Sequence, residues 1–263
     1  MEPTSTLPLG AEAAAETLTR RPILQARNLT KRYEDGQLAL DHVDFTVHEG
    51  EIYAMLGGNG AGKTTTINLF LNFIEPTEGE AVVNGTVTHV DPLRARQDLA
   101  YVSEHVRLYP NFTAMQNLDF FVRLGGKHHY TRDDYKRTLL RVGLQSEAHD
   151  KKLKGFSKGM QQKTGIAIAI LKDAPAILLD EPTSGLDPKA AFEFVKLLES
   201  LRDEGKAILM STHDIFRARE VADTVGIMNS GRIVMQKSKA DLEGENLEDL
   251  YVQYMAGYME EHS

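Results

Sequence analysis

The 263-residue chain contains no cysteine. Disulfides and thiolate metal sites are therefore excluded, and the composition suits a reducing cytoplasm. Long apolar runs are missing as well. The best candidates, Ile166 to Leu171 and Ala176 to Leu179, fall far short of the roughly 18 residues a membrane span needs. Any membrane role is thus expected to pass through a partner. A surplus of basic residues is also absent: 30 Lys and Arg face 38 Asp and Glu, for a net charge of −8. That balance argues against binding to a nucleic-acid backbone. No basic start followed by an apolar stretch opens the chain, so no secretory signal is expected. No internal repeat is visible. What is present is enough apolar sequence for a full core, 41% hydrophobic against 26% charged residues. The length suits one large α/β domain or two small ones.

Residues 1–21 are small, polar and rich in Ala and Glu, and read as a flexible extension with a transient helix through Ala11 to Leu18. The folded part is expected over residues 22–237. Alternating apolar positions in Leu24–Leu29, Leu38–Val47 and Ala81–Val87 predict strands of a partly exposed antiparallel sheet. From Asn111 to Leu171 the period becomes helical, with Leu118, Phe121 and Val122 on one face and Leu139, Leu140 and Val142 on another. Ile177–Leu179 and Ala207–Met210 read as short buried strands separated by a helix through Ala190 to Leu201, the alternation of parallel crossovers. Residues 238–263 form a helical extension, where Leu247, Leu250, Tyr251, Tyr254 and Tyr258 recur at helical spacing and predict a docked terminal helix.

Chemistry concentrates in three segments. Gly57, Gly58, Asn59, Gly60, Ala61, Gly62, Lys63, Thr64 and Thr65 fit G-x-x-x-x-G-K-[ST], between a buried strand at Ile52–Leu56 and a helix continuing through Phe70. Glycines let several backbone N–H groups point at one anion, and the helix adds its positive end. Lys63 would reach terminal phosphates, and the Thr64 hydroxyl would ligate Mg²⁺. The second segment, Ala176 to Glu181, is an apolar strand ending in two acids. Buried strands rarely end so without a cation or proton to manage. Asp180 would hold Mg²⁺ through water, and Glu181 would act as general base toward an attacking water. The third strand runs into Ser211-Thr212-His213-Asp214. Ligands gather beyond the carboxyl ends of strands in doubly wound sheets, so Gly57, Asp180 and His213 are expected on one rim, with His213 at the γ-phosphate.

In this order the motifs resemble the nucleotide-binding subunit of an ABC transporter, over about Leu24 to Lys237. The resemblance implies an α/β fold: a RecA-like P-loop NTPase core, an antiparallel β subdomain and an α-helical subdomain over about 104–163. Gly57–Thr65 corresponds to Walker A, and Ile177–Glu181 to Walker B with its catalytic glutamate. Ser184-Gly185-Leu186-Asp187 resembles the D-loop, His213 the switch histidine, and Tyr33 the aromatic that stacks on adenine. ATP and Mg²⁺ are the implied cofactors.

The signature segment reads Phe156-Ser157-Lys158-Gly159-Met160, where the family has LSGGQ. Lys158 stands for a glycine and Met160 for the glutamine. Ser157 can still cap the following helix and offer its hydroxyl, and Gly159 still lets a phosphate approach the backbone. In the family this element faces the nucleotide of the opposite subunit. An ATP-dependent dimer is implied, with a homodimer favoured and Ser157, Gly159 and Asp187 among its ATP contacts. Glu104 stands in place of the Q-loop glutamine and can likewise ligate Mg²⁺. With the Ser-Lys-Gly-Met signature, it resembles the exporter branch that moves drugs, sodium or antibiotics.

The function so implied is ATP hydrolysis that powers transport through a separate integral membrane permease, at the cytoplasmic face of the membrane and without nucleic acid. Tyr109 and Phe112 are candidate contacts for the permease, while Phe120 and Phe121 are assigned to the core. The adjacent His128 and His129 point apart and read as no metal site, and Lys151–Lys154 reads as a solvated face. The alternative is a soluble ATPase of the same type acting on ribosomes or DNA; the chain carries neither a second cassette nor a long coiled-coil insertion. A binding-only subunit with a degenerate site is a further class, opposed by Lys63, Asp180, Glu181 and His213.

Overall fold

The computed structural model describes residues 20–261, with side chains through residue 255. The helix expected at Ala11 to Leu18 and the side chain of Tyr258 lie outside the described residues. In chain order the fold forms β1 (Pro22–Arg32), β2 (Leu38–His48), β3 (Ile52–Leu56), α1 (Lys63–Phe70), β4 (Glu78–Val83) and β5 (Thr86–Val87). There follow α2 (Pro92–Gln97), β6 (Leu99–Val102), α3 (Ala114–Leu124), α4 (Arg132–Arg141) and α5 (Lys158–Lys172). The last third holds β7 (Ala176–Asp180), α6 (Pro188–Asp203), β8 (Ala207–Thr212), α7 (Ile215–Val221), β9 (Thr224–Asn229), β10 (Arg232–Ser238) and α8 (Leu247–Glu261).

Two sheets result. The antiparallel one has the order β2-β1-β4-β5, as the alternating segments predict. The other has six strands in the order β10-β9-β3-β8-β7-β6, parallel throughout except for β10 at the edge. The β9–β10 hairpin adds to the strands foreseen from sequence. Its turn, Ser230-Gly231, holds both residues at positive φ (47° and 80°), which suits a two-residue type I′ connection.

Side-chain alternation divides the six-stranded sheet between two cores. Ile52, Ala54 and Leu56 of β3, Ile177 and Leu179 of β7, and Ile208 and Met210 of β8 face one core, with Leu118, Leu139, Ile166, Phe194 and Val221 from the helices. Tyr53, Met55, Leu178 and Leu209 face the other, packed with Ile67 and Phe70 of α1 and with Leu24, Leu29, Val43 and Phe45 of the antiparallel sheet. A strand buried on both faces reads as a continuous apolar run, which is why β3, β7 and β8 lack polar alternation.

The helices between β6 and β7 are well delimited. Thr113 with Gln116 and Thr131 with Asp134 form capping boxes at the starts of α3 and α4. On α4 the buried stripe is Tyr135 and Leu139, continued by Val142 beyond the helix end, and Leu140 is 50% exposed. The face predicted to join Leu139, Leu140 and Val142 is thus corrected: consecutive helical residues lie about 100° apart, and Leu140 turns outward. Phe120 needs the same correction. The buried stripe of α3 is Met115, Leu118 and Val122, and Phe120 falls on the opposite side, 37% exposed. It packs edge-on against Tyr109 (4.9 Å between ring centres) and Phe121 (5.2 Å). At the far end, α8 docks as expected, with Leu247 buried and Leu250, Tyr251 and Tyr254 against the first core.

One contact in the sheet tolerates no added atom. Tyr53 is fully buried, its ring 5.0 Å from that of Phe45 and its hydroxyl donating to Gln236 Oε1 at 3.0 Å. Burial, with Glu51 adding, pushes its phenol well above the usual range. A Cβ on Gly226 would stand 2.1 Å from that hydroxyl oxygen. Gly226→Ala is therefore expected to lower unfolding free energy by about 3 kcal/mol, an overpacking cost. Urea denaturation checks this, and adding Tyr53→Phe should recover part of the loss.

Candidate functional site

Strand β3 is paired on both sides, to β8 and to β9, so Leu56 stands beside Thr212 and Ile227. The Gly57–Thr65 loop leaves the sheet from this central position, and the Gly57 N–H donates to the Thr212 carbonyl at 3.1 Å. Two of its glycines are required by geometry. A Cβ on Gly57 would lie 2.4 Å from the Met228 carbonyl oxygen. Gly62 has φ +112°, and a Cβ there would meet Leu40 at 2.7 Å. Lys63 then opens α1, buried, and its ammonium donates back to the carbonyls of Gly57 (2.7 Å) and Gly58 (3.1 Å). The loop is thereby wrapped around its own lysine.

The acids at the end of β7 are ordered by β8. Asp180 pairs in register with Ser211, whose hydroxyl donates to Asp180 Oδ1 at 2.6 Å. Thr64 Oγ1 lies 3.4–3.5 Å from the same carboxylate. The next residue, Glu181, has φ +46°, a left-handed conformation that a non-glycine residue rarely adopts. Its N–H is held by Ser211, donating to the carbonyl (3.2 Å) and the hydroxyl (3.0 Å). This turn carries the Glu181 carboxylate between two partners: Lys63 Nζ at 3.5 Å from Oε1, and His213 Nδ1 at 2.9 Å from Oε2. On β6, burial, with the Asp180 charge adding, pushes the Tyr101 phenol up to about 12, so Tyr101 stays protonated.

Tyr33, Gly58, Asn59, Gly60, Ala61, Gly62, Lys63, Thr64, Thr65, Glu104, Asp180 and Glu181 share the lining of one cleft of about 600 Å³. Gly57 lies beneath it, and His213 joins through Glu181, with its side chain 60% exposed. Tyr33 sits in the turn after β1, closed by the Tyr33 N–H to the Gln37 carbonyl, with the Lys31 ammonium 5.4 Å from its ring centre. Ser157, Gly159 and Asp187 are elsewhere: they line a separate depression of about 320 Å³. Ser157 caps α5 by accepting from the Met160 N–H (3.2 Å), and Asp187 caps α6 by accepting from the Ala190 N–H (2.9 Å). Glu104 bridges toward that side, its Oε1 3.0 Å from the Ser184 hydroxyl and 3.6 Å from Lys158 Nζ.

The donors suit a hard divalent cation. A hydroxyl on Thr64 and a carboxylate on Asp180, with Glu104 on the same cleft wall, are oxygen ligands of the kind Mg²⁺ takes. Among the described residues no group of three or more His, Asp and Glu side chains forms a ready metal cage. A Mg²⁺ held here would take the rest of its shell from phosphate oxygens and water, the usual arrangement for that ion. Ser211 and Ser184 lie inside segments the motifs pick out, but the motifs gave neither residue a role; the structure places Ser211 against Asp180 and Ser184 against Glu104. Only the β7–β8 register exposes Ser211 as the tie between both acids.

The positive φ at Glu181 is a testable strain. Glu181→Gly and Glu181→Ala both remove the carboxylate, but only glycine relieves the left-handed backbone. The Gly variant is expected to be more stable than the Ala variant by about 1 kcal/mol, measured by chemical denaturation.

Comparison with known proteins agrees with this geometry. The family described as ABC transporter matches residues 40–184. The bacitracin transport ATP-binding protein BcrA of Bacillus licheniformis is 38% identical over 214 residues, covering 81% of this chain and 68% of its own. The ABC transporter ATP-binding protein NatA of Bacillus subtilis strain 168 is 33% identical over 233 residues, covering 86% and 94%. Among solved structures, the ATP binding subunit of an ABC transporter superposes with a TM-score of 0.79 at 31% identity, covering 89% of this chain and 99% of that one. A dimeric ATP-binding cassette in a post-hydrolysis state bound to ADP and Pi superposes with a TM-score of 0.75 at 27% identity, covering 82% and 99%. The chain belongs to the ABC transporter family, as its ATP-binding, ATP-hydrolysing cassette.

Proposed function

We propose that this cassette powers export through a separate integral membrane permease, as one of two copies that close on ATP and Mg²⁺ at the cytoplasmic face of the membrane. The observation that carries this reading is the Lys63–Glu181–His213 chain beside Thr64 and Asp180 in one cleft. The N–H groups of Gly58 to Thr65, with Lys63, hold the phosphates, and Tyr33 stacks on the adenine. Thr64, Asp180 and Glu104 hold Mg²⁺, which supplies charge neutralisation at the phosphates. Glu181 takes the proton of the attacking water, and His213 fixes the direction of that carboxylate and reaches the γ-phosphate.

Dimerisation is supported by what the cleft leaves out. Ser157 and Gly159 offer a helix start suited to an anion, yet line a different depression from the Gly57–Thr65 loop. A second copy brings its own pair, with Asp187, to the open side of the nucleotide. For the permease, Tyr109, Phe112 and Phe120 form an exposed aromatic cluster, and Phe112 and Phe120 line a cavity of about 740 Å³ with Met115, Leu124, Tyr135 and the charged Asp119, Arg123 and Arg132. A short apolar helix of the partner fits such a groove. No helix among the described residues is long and apolar enough to cross a membrane itself. Export, as opposed to uptake, is supported by Glu104 with the Ser157–Met160 signature, while the bacitracin relative is named for transport alone. The net charge of −8 favours a protein partner over nucleic acid.

Two outcomes are expected. Glu181→Gln binds ATP but turns over about 10²–10⁴-fold more slowly, and accumulates as a closed dimer by light scattering; turnover near the wild-type rate removes Glu181 from this role. Tyr109→Ala with Phe112→Ala leaves ATP hydrolysis by the isolated chain within about twofold, because both lie outside the cleft. The same variant loses the membrane protein that copurifies with the wild type from its host; undiminished copurification moves the docking site elsewhere.

A further inference from the structure

We propose that Glu104 and Lys158 form a metal-released latch, in which Lys158 holds the Glu104 carboxylate off the cation site until a metal–nucleotide complex draws it in. The inference rests on the reading of the Thr64–Asp180 cleft as a metal–nucleotide site. It joins two residues that each depart from the family pattern and that the fold places together.

Lys158 is the first residue of α5. A cation in that turn opposes the helix dipole, so helix stability does not account for it. Its stem crosses Gly185, where a Cβ would stand 3.3 Å from both Cδ and Nζ. The ammonium ends 3.6 Å from Glu104 Oε1, and the Ser184 hydroxyl donates to the same oxygen at 3.0 Å. The other oxygen, Oε2, lies 3.7 Å from Nδ1 of the exposed His105 ring. A single carboxylate thus ties the segment after β6 to the start of α5 and to the loop after β7.

A second contact fastens the same segment. Val106 packs onto Gly165, where a Cβ would come within 2.8 Å of a Val106 methyl. Residues 104–106 are therefore held to α5 at its first turn and again two turns along. Yet Glu104 also lines the cleft with Thr64 and Asp180. A carboxylate drawn toward a cation between Thr64 and Asp180 moves away from Lys158 and Ser184. Both side chains of the ion pair are more than a third exposed, which makes it weak and displaceable. A divalent ion carries twice the charge and binds carboxylate oxygen at contact distance, so it wins the exchange. Lys158 is then freed beside Ser157 and Gly159, and the grip of the cleft on α5 loosens when metal–nucleotide arrives. Lys158 is a positioning residue in this scheme, acting through Glu104.

The test is Mn²⁺ affinity in the presence of ADP, read by electron paramagnetic resonance on the purified full chain, with no turnover involved. Lys158→Met is expected to tighten Mn²⁺ binding about threefold to fivefold, the size an exposed ion pair can impose. Lys158→Arg, which keeps the charge, stays near the wild-type value. Glu104→Gln weakens binding, and in that background Lys158→Met has no further effect. An unchanged affinity in Lys158→Met, or an equal change with and without Glu104, overturns the latch. Absence of Mn²⁺·ADP binding by the wild type overturns the cleft assignment, and the latch with it.

Discussion

The pairing of β3 on both edges is the constraint from which the site follows. Parallel ladders to β8 and β9 run without slips, from Ile52 opposite Ile208 to Leu56 opposite Thr212. The next ladder continues in step, ending with Asp180 opposite Ser211. Three strands therefore end level, and the phosphate loop, the paired acids and His213 emerge within hydrogen-bond reach. A slip of one residue would exchange the two faces of a strand that is buried on both. Ile52 and Leu56 would trade cores with Tyr53 and Met55, whose ring and chain are too different in shape to fit. Packing enforces the register, and the register builds the site.

At the rim, local strain and local order occur together. Glu181 is held in a left-handed conformation by two hydrogen bonds from its N–H to Ser211, which also orders Asp180. One serine thus sets the directions of two adjacent carboxylates with different tasks, one toward Thr64 and one toward Lys63 and His213. Such strain persists only where the surroundings over-determine it, and it is characteristic of functional positions.

The helices between β6 and β7 give the molecule its second working surface. Their buried faces join the core beneath β7 and β8, while the start of α5 and the Tyr109 cluster are left at the surface. The contacts from Glu104 to Lys158 and from Val106 to Gly165 join this layer to the nucleotide cleft directly. In the proposed cycle, events at the phosphates thereby have a short path, through packed and charged groups, to the face proposed to meet a partner.

Much of this was legible in the chain itself. The glycine spacing in Gly57–Thr65, the apolar run ending in Asp180 and Glu181, and the strand before His213 are local patterns, and local patterns survive in sequence. Amphipathic helices were legible for the same reason, although neighbouring residues such as Leu139 and Leu140 diverge once the helix rotates them apart. Sequence alone also determined that no disulfide forms. Only the tertiary structure decided that Ser157, Gly159 and Asp187 line a separate depression, that Ser211 unites the acids, and that Glu104 meets Lys158. Ser211 stands 30 and 31 positions from the two acids it orders, and Glu104 and Lys158 are 54 positions apart. Such relations depend on strand register and layer packing, which arise from the whole core and leave no periodic trace in any single segment.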